Sequence, residues 1–284
     1  MVMPQMNAKS KTIQDGYKIR NVRYEEIHNV PQDFFDTIVK GLSIKNGDNI
    51  GDLMSGYGAI SREVLKYAEK NKKRIELWLL DNHLEQLDRS HEELAHWEHP
   101  SNLQQLKIHR IHSDARFSNV LKENSLDHAV MKMGLHEIPQ CDQQGAVDNA
   151  YNWLKNGGTL MIWDRMARKK EDQELFSKII SEKDRLAGFD SFVKNRYFFR
   201  LDEGIEYMKK SGFKEVKVFK EIYLNFTSKV RLHTEFGGNE NTLKSWNEFI
   251  RASVPEAMKK RLKYQDNGDD IKMVFAKAII CGKK

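Results

Sequence analysis

Asp52-Leu-Met-Ser-Gly-Tyr-Gly58 closes the short apolar run Asn49–Met54 and opens a helical pattern over Ala59–Asn71. A glycine-bearing turn between a strand and a helix lets a ligand approach the backbone, and the helix that follows offers unpaired N–H groups. Working outward, the same alternation recurs. Apolar runs at Ile75–Leu80, Leu106–Ile111, Leu126–Met133 and Thr159–Trp163 are separated by helical stretches at Leu84–His96 and Cys141–Leu154 and by a short turn near Arg116–Leu121. Short buried runs alternating with helices predict a parallel sheet covered on both faces.

On either side of this block the pattern changes. Phe34, Phe35, Ile38 and Val39 cluster at helical spacing after Pro31, so residues 13–40 read as helical, with Gly41 closing the helix. After Asp164 the alternation stops. Residues 165–199 carry Leu175, Phe176, Ile179, Ile180 and Leu186 on one helical face. A helix over Leu201–Ser211 ends at Gly212, a left-handed cap position that glycine fills cheaply. Strands are predicted at Phe213–Phe226 and Lys272–Ile280. Between them, 227–270 is too long for a hairpin turn and reads as helices interrupted at Pro255.

Composition narrows the function classes. The chain has 284 residues with 47 Lys/Arg against 41 Asp/Glu, and its 14 Phe, 9 Tyr and 5 Trp are too many for a disordered chain. Two cysteines, Cys141 and Cys281, leave no room for a disulfide framework or a cysteine-rich zinc site, and no metal ligand set is expected. No apolar run approaches the roughly 18 residues of a membrane span. Residues 1–11 lack the apolar core of a signal peptide, so a cytoplasmic location is expected. The net charge of +6 divides into +1 over 1–40, −4 over 41–164 and +9 over 165–284. The basic third could attract an anionic substrate or nucleic acid, but its cations alternate with acids as in a solvated face.

Four acidic or glycine-bearing segments fall at the carboxyl ends of successive predicted strands, where open α/β sheets bind ligands: Asp52–Gly58, Asp81, Asp114 and Met133-Gly-Leu-His-Glu137. In order and spacing they resemble a class I S-adenosylmethionine-dependent methyltransferase of the small-molecule, ubiquinone-biosynthesis-like kind. Asn156-Gly-Gly-Thr-Leu160 resembles that family's turn into its fifth strand, and Ser211-Gly-Phe-Lys-Glu-Val216 the lead into its sixth. The resemblance covers about 45–164, 201–225 and 271–281. It implies a Rossmann-like, seven-stranded, mostly parallel sheet with helices on both faces, an antiparallel last strand and an added helical lid. Residues 1–40 would be an N-terminal cap, and 41–284 the core with lid insertions at 165–199 and 227–270. The loop lacks the third glycine of a dinucleotide fingerprint, having Ser61 there, and neither a P-loop Gly-Lys-Ser/Thr nor a Gly-x-Ser-x-Gly elbow occurs.

The resemblance also implies roles. S-adenosylmethionine, leaving as S-adenosylhomocysteine, would be held by Asp52, Ser55, Gly56, Gly58, Asp81, Asn82, Asp114, Ala115 and Met133. Asp81 would take the ribose hydroxyls, Asn82 and Asp114 would lie near the adenine, and Asp52 would support the methionine end or cap the following turn. Met54 replaces the first loop glycine of the usual pattern. A positive φ there would strain it by roughly 1–2 kcal/mol, so the position is expected to tolerate a side chain. His136 is the candidate general base, against a packing role, with Gly134 letting the chain turn before it. The acceptor is expected to be a small organic molecule held by Tyr24, Tyr197, Arg200 and Arg231, with methylation at O or N. Nucleic acid is not expected, and the sequence carries no signal for an oligomeric state. Alternatives are an RNA or protein methyltransferase, or a catalytically silent binding partner with the same fold.

Overall fold

The structure, a computed structural model, describes residues 30–99 and 106–284. The five central runs form β1 (Asp48–Leu53), β2 (Ile75–Asp81), β3 (Leu106–His112), β4 (Leu126–Lys132) and β5 (Leu154–Asp164), all parallel. β6 (Lys214–Thr227) and β8 (Ile271–Lys283) complete the main sheet, in the order β3-β2-β1-β4-β5-β8-β6 with β8 antiparallel to both neighbours. An eighth strand, β7 (Gln265–Asp266), makes a two-residue ribbon on β8; two residues are too few to leave an alternation in the sequence.

Strand alternation divides the core into two layers. Ile50, Leu77, Leu79, Val130, Met161, Trp163 and Ile279 face α1 (Gln32–Leu42), α2 (Ala59–Lys70) and α3 (Leu84–Leu94). Leu53, Leu80, Ala129, Met131, Leu160, Ile162 and Ile280 face α4 (Gln140–Trp153) and α7 (Leu201–Lys210). Both faces are thus buried, as continuous apolar strand runs require. α1 runs through Gly41 and ends at Ser43, whose φ is 53°. Gly41 does not close the helix. A Cβ there would stand 2.2 Å from Met161 and 2.8 Å from the Phe219 ring, so its role is close packing. The part of the expected cap before residue 30 lies outside the described residues.

A third apolar cluster joins the two long insertions. α5 (Lys170–Leu186) and α6 (Asp190–Asn195) come from the first. α8 (Arg231–Thr234), α9 (Glu240–Ser253) and α10 (Glu256–Lys259) come from the second. Phe176, Ile179 and Phe192 pack with Trp246, Ile250 and Leu262, and Trp246 Nε1–H donates to the Ile179 carbonyl at 3.0 Å. The support is a strand ribbon. β5 pairs with β8 only as far as Asp164 opposite Ala278, whereas the β6–β8 pairing continues to Thr227 opposite Lys272. This ribbon passes the carboxyl end of β5 and places Phe226, Met273 and Phe275 inside the third cluster.

Candidate active site

A cavity of about 300 Å³ lies between the carboxyl ends of the strands and the third cluster. Ser55, Gly56, Asp81, Asn82, Asp114, Ala115 and Met133 line it from the sheet side, together with His136. Phe176, Ile180, Lys183, Arg231 and Glu235 line it from the insertions.

The sheet-side half is built from strand-end turns. After β1, Met54 and Ser55 donate their N–H groups to the Leu80 carbonyl at 2.8 and 3.0 Å, which turns the chain toward β2. Met54 takes φ 67°, so the glycine this position usually holds is replaced at a real conformational cost, contrary to the expected tolerance. Gly134 compensates. Its φ of −118° is ordinary, but an added Cβ would stand 2.6 Å from the Met54 Cβ. The sharp turn before His136 is made instead by Met133, at φ 56°.

Asp81, at the end of β2, accepts from Gly56 N–H at 2.7 Å on Oδ2 and from His83 N–H at 2.9 Å on Oδ1. The two bonds fix the carboxylate plane and leave each oxygen further acceptor capacity. Burial raises its pKa to about 6. Asp52 and Gly58 lie behind the cavity wall. Asp52 Oδ2 accepts from Ser61 N–H and Oγ–H at 3.1 and 2.7 Å, capping α2, while Oδ1 is buried with no hydrogen-bond partner among the described residues. Gly58 is the N-cap of α2 at φ 85°. Asp114 is gripped by Arg116 at 3.0 and 2.7 Å. Burial raises its pKa, and the hydrogen bonds from Arg116 more than offset this, leaving it below the ordinary value.

His136, 6% exposed, faces the cavity from the turn after β4. Its Nδ1 lies 2.6 Å from Asp164 Oδ1 at the end of β5, and its ring stacks on Phe198 at 4.9 Å. Asp164 Oδ2 also accepts the His136 backbone N–H at 3.2 Å. A fully buried carboxylate at Nδ1 selects the tautomer that carries its proton there, leaving Nε2 as an acceptor. Burial lowers the His136 pKa, with Asp164 opposing, so the ring is neutral near pH 7.

Of the residues expected to hold an acceptor, Arg231 lines the cavity and Tyr24 lies outside the described residues. Tyr197 and Arg200 lie outside the cavity. The Tyr197 hydroxyl donates to Glu203 at 2.7 Å, and Arg200 pairs with Asp202 at 3.0 Å in the capping turn of α7. Lys132, Arg165, Lys183, Glu235 and Lys277, which the sequence did not single out as site residues, also line the cavity. One signal was present: Lys277 is a lone charge in the apolar run Met273–Ile280. Among the described residues no group of His, Cys, Asp and Glu is arranged to hold a metal ion, and no helix is long and apolar enough to cross a membrane.

The strand order with antiparallel β8 is the fold of class I S-adenosylmethionine-dependent methyltransferases. No protein-family model matches the chain, and no curated protein sequence does. Solved structures do match. A provisionally assigned methyltransferase of Bacillus halodurans C-125 aligns at 14% identity with TM-score 0.70, over 89% of this chain and 99% of that one. Phosphoethanolamine N-methyltransferase 2 of Haemonchus contortus, in complex with phosphomonomethylethanolamine and S-adenosylhomocysteine, aligns at 17% identity with TM-score 0.52, over 89% of this chain and 52% of that one. The cyclase SpnF aligns at 13% identity with TM-score 0.50, over 89% of this chain and 80% of that one.

Proposed function

We propose that this protein is an S-adenosylmethionine-dependent methyltransferase acting on a small organic acceptor, with His136 as general base. The observation that carries the reading is one cavity joining a fixed, buried carboxylate at Asp81 to a carboxylate-oriented imidazole at His136. The residues fit the cofactor. Asp81 offers two adjacent acceptor oxygens, which suit the two hydroxyls of a ribose. The turn Ser55-Gly56 leaves open backbone beside it, since a Cβ on Gly56 would meet nothing nearer than Gln86 Oε1 at 3.9 Å. Asn82, Asp114 and Ala115 would border the adenine, and Asp52, whose Oδ1 has no hydrogen-bond partner among the described residues, would support the methionine end from behind the cavity wall.

When bound, the cofactor supplies a methyl group on a sulfonium, already activated for in-line displacement. The protein's share is alignment, exclusion of water and management of one proton. The third cluster closes the cavity opposite the strand ends and acts as the lid. His136 Nε2 takes the proton of an acceptor amine or hydroxyl, and Asp164 stabilises the imidazolium that forms. A cavity of about 300 Å³ recessed between the strand ends and the insertions favours a small acceptor over an RNA or a folded protein.

Calorimetry with S-adenosylmethionine and S-adenosylhomocysteine tests the cofactor assignment. Asp81→Ala is expected to weaken both by about tenfold or more while the fold persists, because hydrogen bonds to a charged group contribute roughly 1.5–3 kcal/mol. Wild-type protein that binds neither compound would overturn the reading. Since one fold hosts different chemistries, a panel of amines, phenols and acids with labelled cofactor then separates methyl transfer from cofactor binding alone.

A further inference from the structure

Deepening that methyltransferase reading, we propose that the acceptor carries a compact anionic group, a carboxylate or a phosphate, seated between Arg165, Arg231 and Lys277 on the lid side of the cavity. All three line the cavity and are nearly inaccessible, at 7%, 6% and 2% exposure. Among the described residues, no carboxylate forms an ion pair with Arg165 or Lys277. The Arg165 guanidinium stacks on Phe176 at 4.1 Å, with Nη1 buried and without an acceptor among the described residues. The Lys277 ammonium stands 5.8 Å from the Trp163 ring centre. Arg231 spends Nη1 on Glu235 at 2.6 Å, and its buried Nε has no acceptor among the described residues.

The neighbouring carboxylates are already committed. Glu137 pairs with Arg196, Asp184 with Arg196 and Lys183, Glu235 with Lys183 and Arg231, and Asp164 with His136. Against these four acids stand five cations, Arg165, Lys183, Arg196, Arg231 and Lys277, so this group of described residues carries more positive than negative charge. Burying a cation without a counter-charge is expensive, and the usual outcome is a shifted protonation equilibrium. That shift is present. Burial, then Arg165 and Lys132, push Lys277 well below the ordinary lysine range, and burial followed by Arg231 brings Arg165 down to about 9. A bound anion would satisfy the orphaned N–H groups of Arg165 and Arg231 and return Lys277 to its charged form.

The place of the site gives it a function. Arg165 follows directly on Asp164, the partner of His136, so an anion anchored here sits beside the base. Anchoring one end of a small acceptor at the lid would hold its nucleophilic atom toward His136 Nε2, turning binding energy into alignment.

The experiment measures anion binding apart from methyl transfer. Wild type, Lys277→Met and Arg165→Gln are titrated by calorimetry with phosphate, benzoate and the uncharged benzamide, each with and without S-adenosylhomocysteine. Saturable binding of phosphate or benzoate, not of benzamide, is expected, with a loss of about tenfold or more in each variant. The tighter of the two anions assigns the group. Lys277→Met should also raise Tm, since it replaces a buried amine whose charged form is disfavoured by an apolar side chain of similar length; a lowered Tm would mark the lysine as structural and overturn the proposal. Equal affinity for benzoate and benzamide, or anion binding unchanged in both variants, would overturn it as well. Affinity for S-adenosylhomocysteine is read in the same titrations, so an absent cofactor site is told apart from an absent anion site.

Discussion

The pairing of His136 with Asp164 decides what the strand-four turn can do. Held at 2.6 Å by a fully buried carboxylate, the imidazole has a fixed tautomer, and burial keeps it neutral near pH 7. His136→Asn should lower the single-turnover methyl-transfer rate by roughly 10²–10⁴-fold. The sign of the pH dependence follows from the depressed pKa. With His136 as the base the neutral ring would be the active form, so the wild-type rate should be level through neutral pH and fall only on the acid side of the ordinary histidine range. An Asn variant with near-normal rate and the same acid limb would leave His136 as a packing residue. Met54 and Gly134 form a second coupled pair. Gly134→Ala should destabilise the protein by about 1–3 kcal/mol by driving a methyl into Met54. In a Met54→Gly background that cost should largely vanish, since the obstructing side chain is gone and the strained φ is relieved. Additive denaturation energies in the double-mutant cycle would show that the two positions act independently.

At the level of elements, the long β6–β8 ribbon matters most. Its far half leaves the sheet and enters the third cluster, so the insertions are tied to the core through strands, not through loops alone. Trp246 is the hub of that cluster: fully buried, edge-on to Phe226 and Phe236, and hydrogen-bonded to the carbonyl of Ile179 on α5. Trp246→Ala should cost about 3–5 kcal/mol. If the insertions open as a unit, hydrogen exchange should accelerate across α5, α6 and α9 while β1, β2 and β4 remain protected. Equal acceleration in the central strands would mean that core and insertions unfold together. The ends of elements were less legible than their existence. The helix expected to close at Gly41 continues to Leu42, and the glycine there makes room for Met161 and Phe219 across the layer.

Across the whole molecule, many cations of 165–284 alternate with and pair to acids of the same segment, which breaks the +9 excess into a dispersed pattern with no continuous basic face. Arg168 pairs with Glu221, Arg185 with Glu182, Arg251 with Asp266, Arg261 with Asp172 and Lys229 with Asp269. Single-stranded RNA should therefore show no strong, steeply salt-dependent binding when titrated between 50 and 200 mM salt, the range over which phosphate-binding proteins lose about 10³–10⁵ in affinity. Tight binding with a steep salt slope would reverse this expectation and revive an RNA acceptor. The surplus that matters chemically is the small internal one, where low solvent access keeps charge unscreened.

The sequence by itself determined the order of strands and helices and the placing of Asp81, Asp114 and His136 at strand ends. Those features depend on periodicity and turn chemistry within a dozen or so residues, which one chain displays directly. Tertiary structure alone decided the pairings. Asp164 meets His136 because β4 and β5 are neighbours, and Lys277 reaches the cavity because β8 runs back antiparallel beside β5. It also withdrew Tyr197 and Arg200 into the Glu203–Asp202 capping turn, where nearby acids outcompete a distant ligand. A lone lysine in an apolar strand marks an anomaly in sequence. Whether that lysine is compensated depends on which charges the fold brings near it, and in this chain those charges, Lys132, Asp164, Arg165 and Arg231, come from separate segments of the sequence.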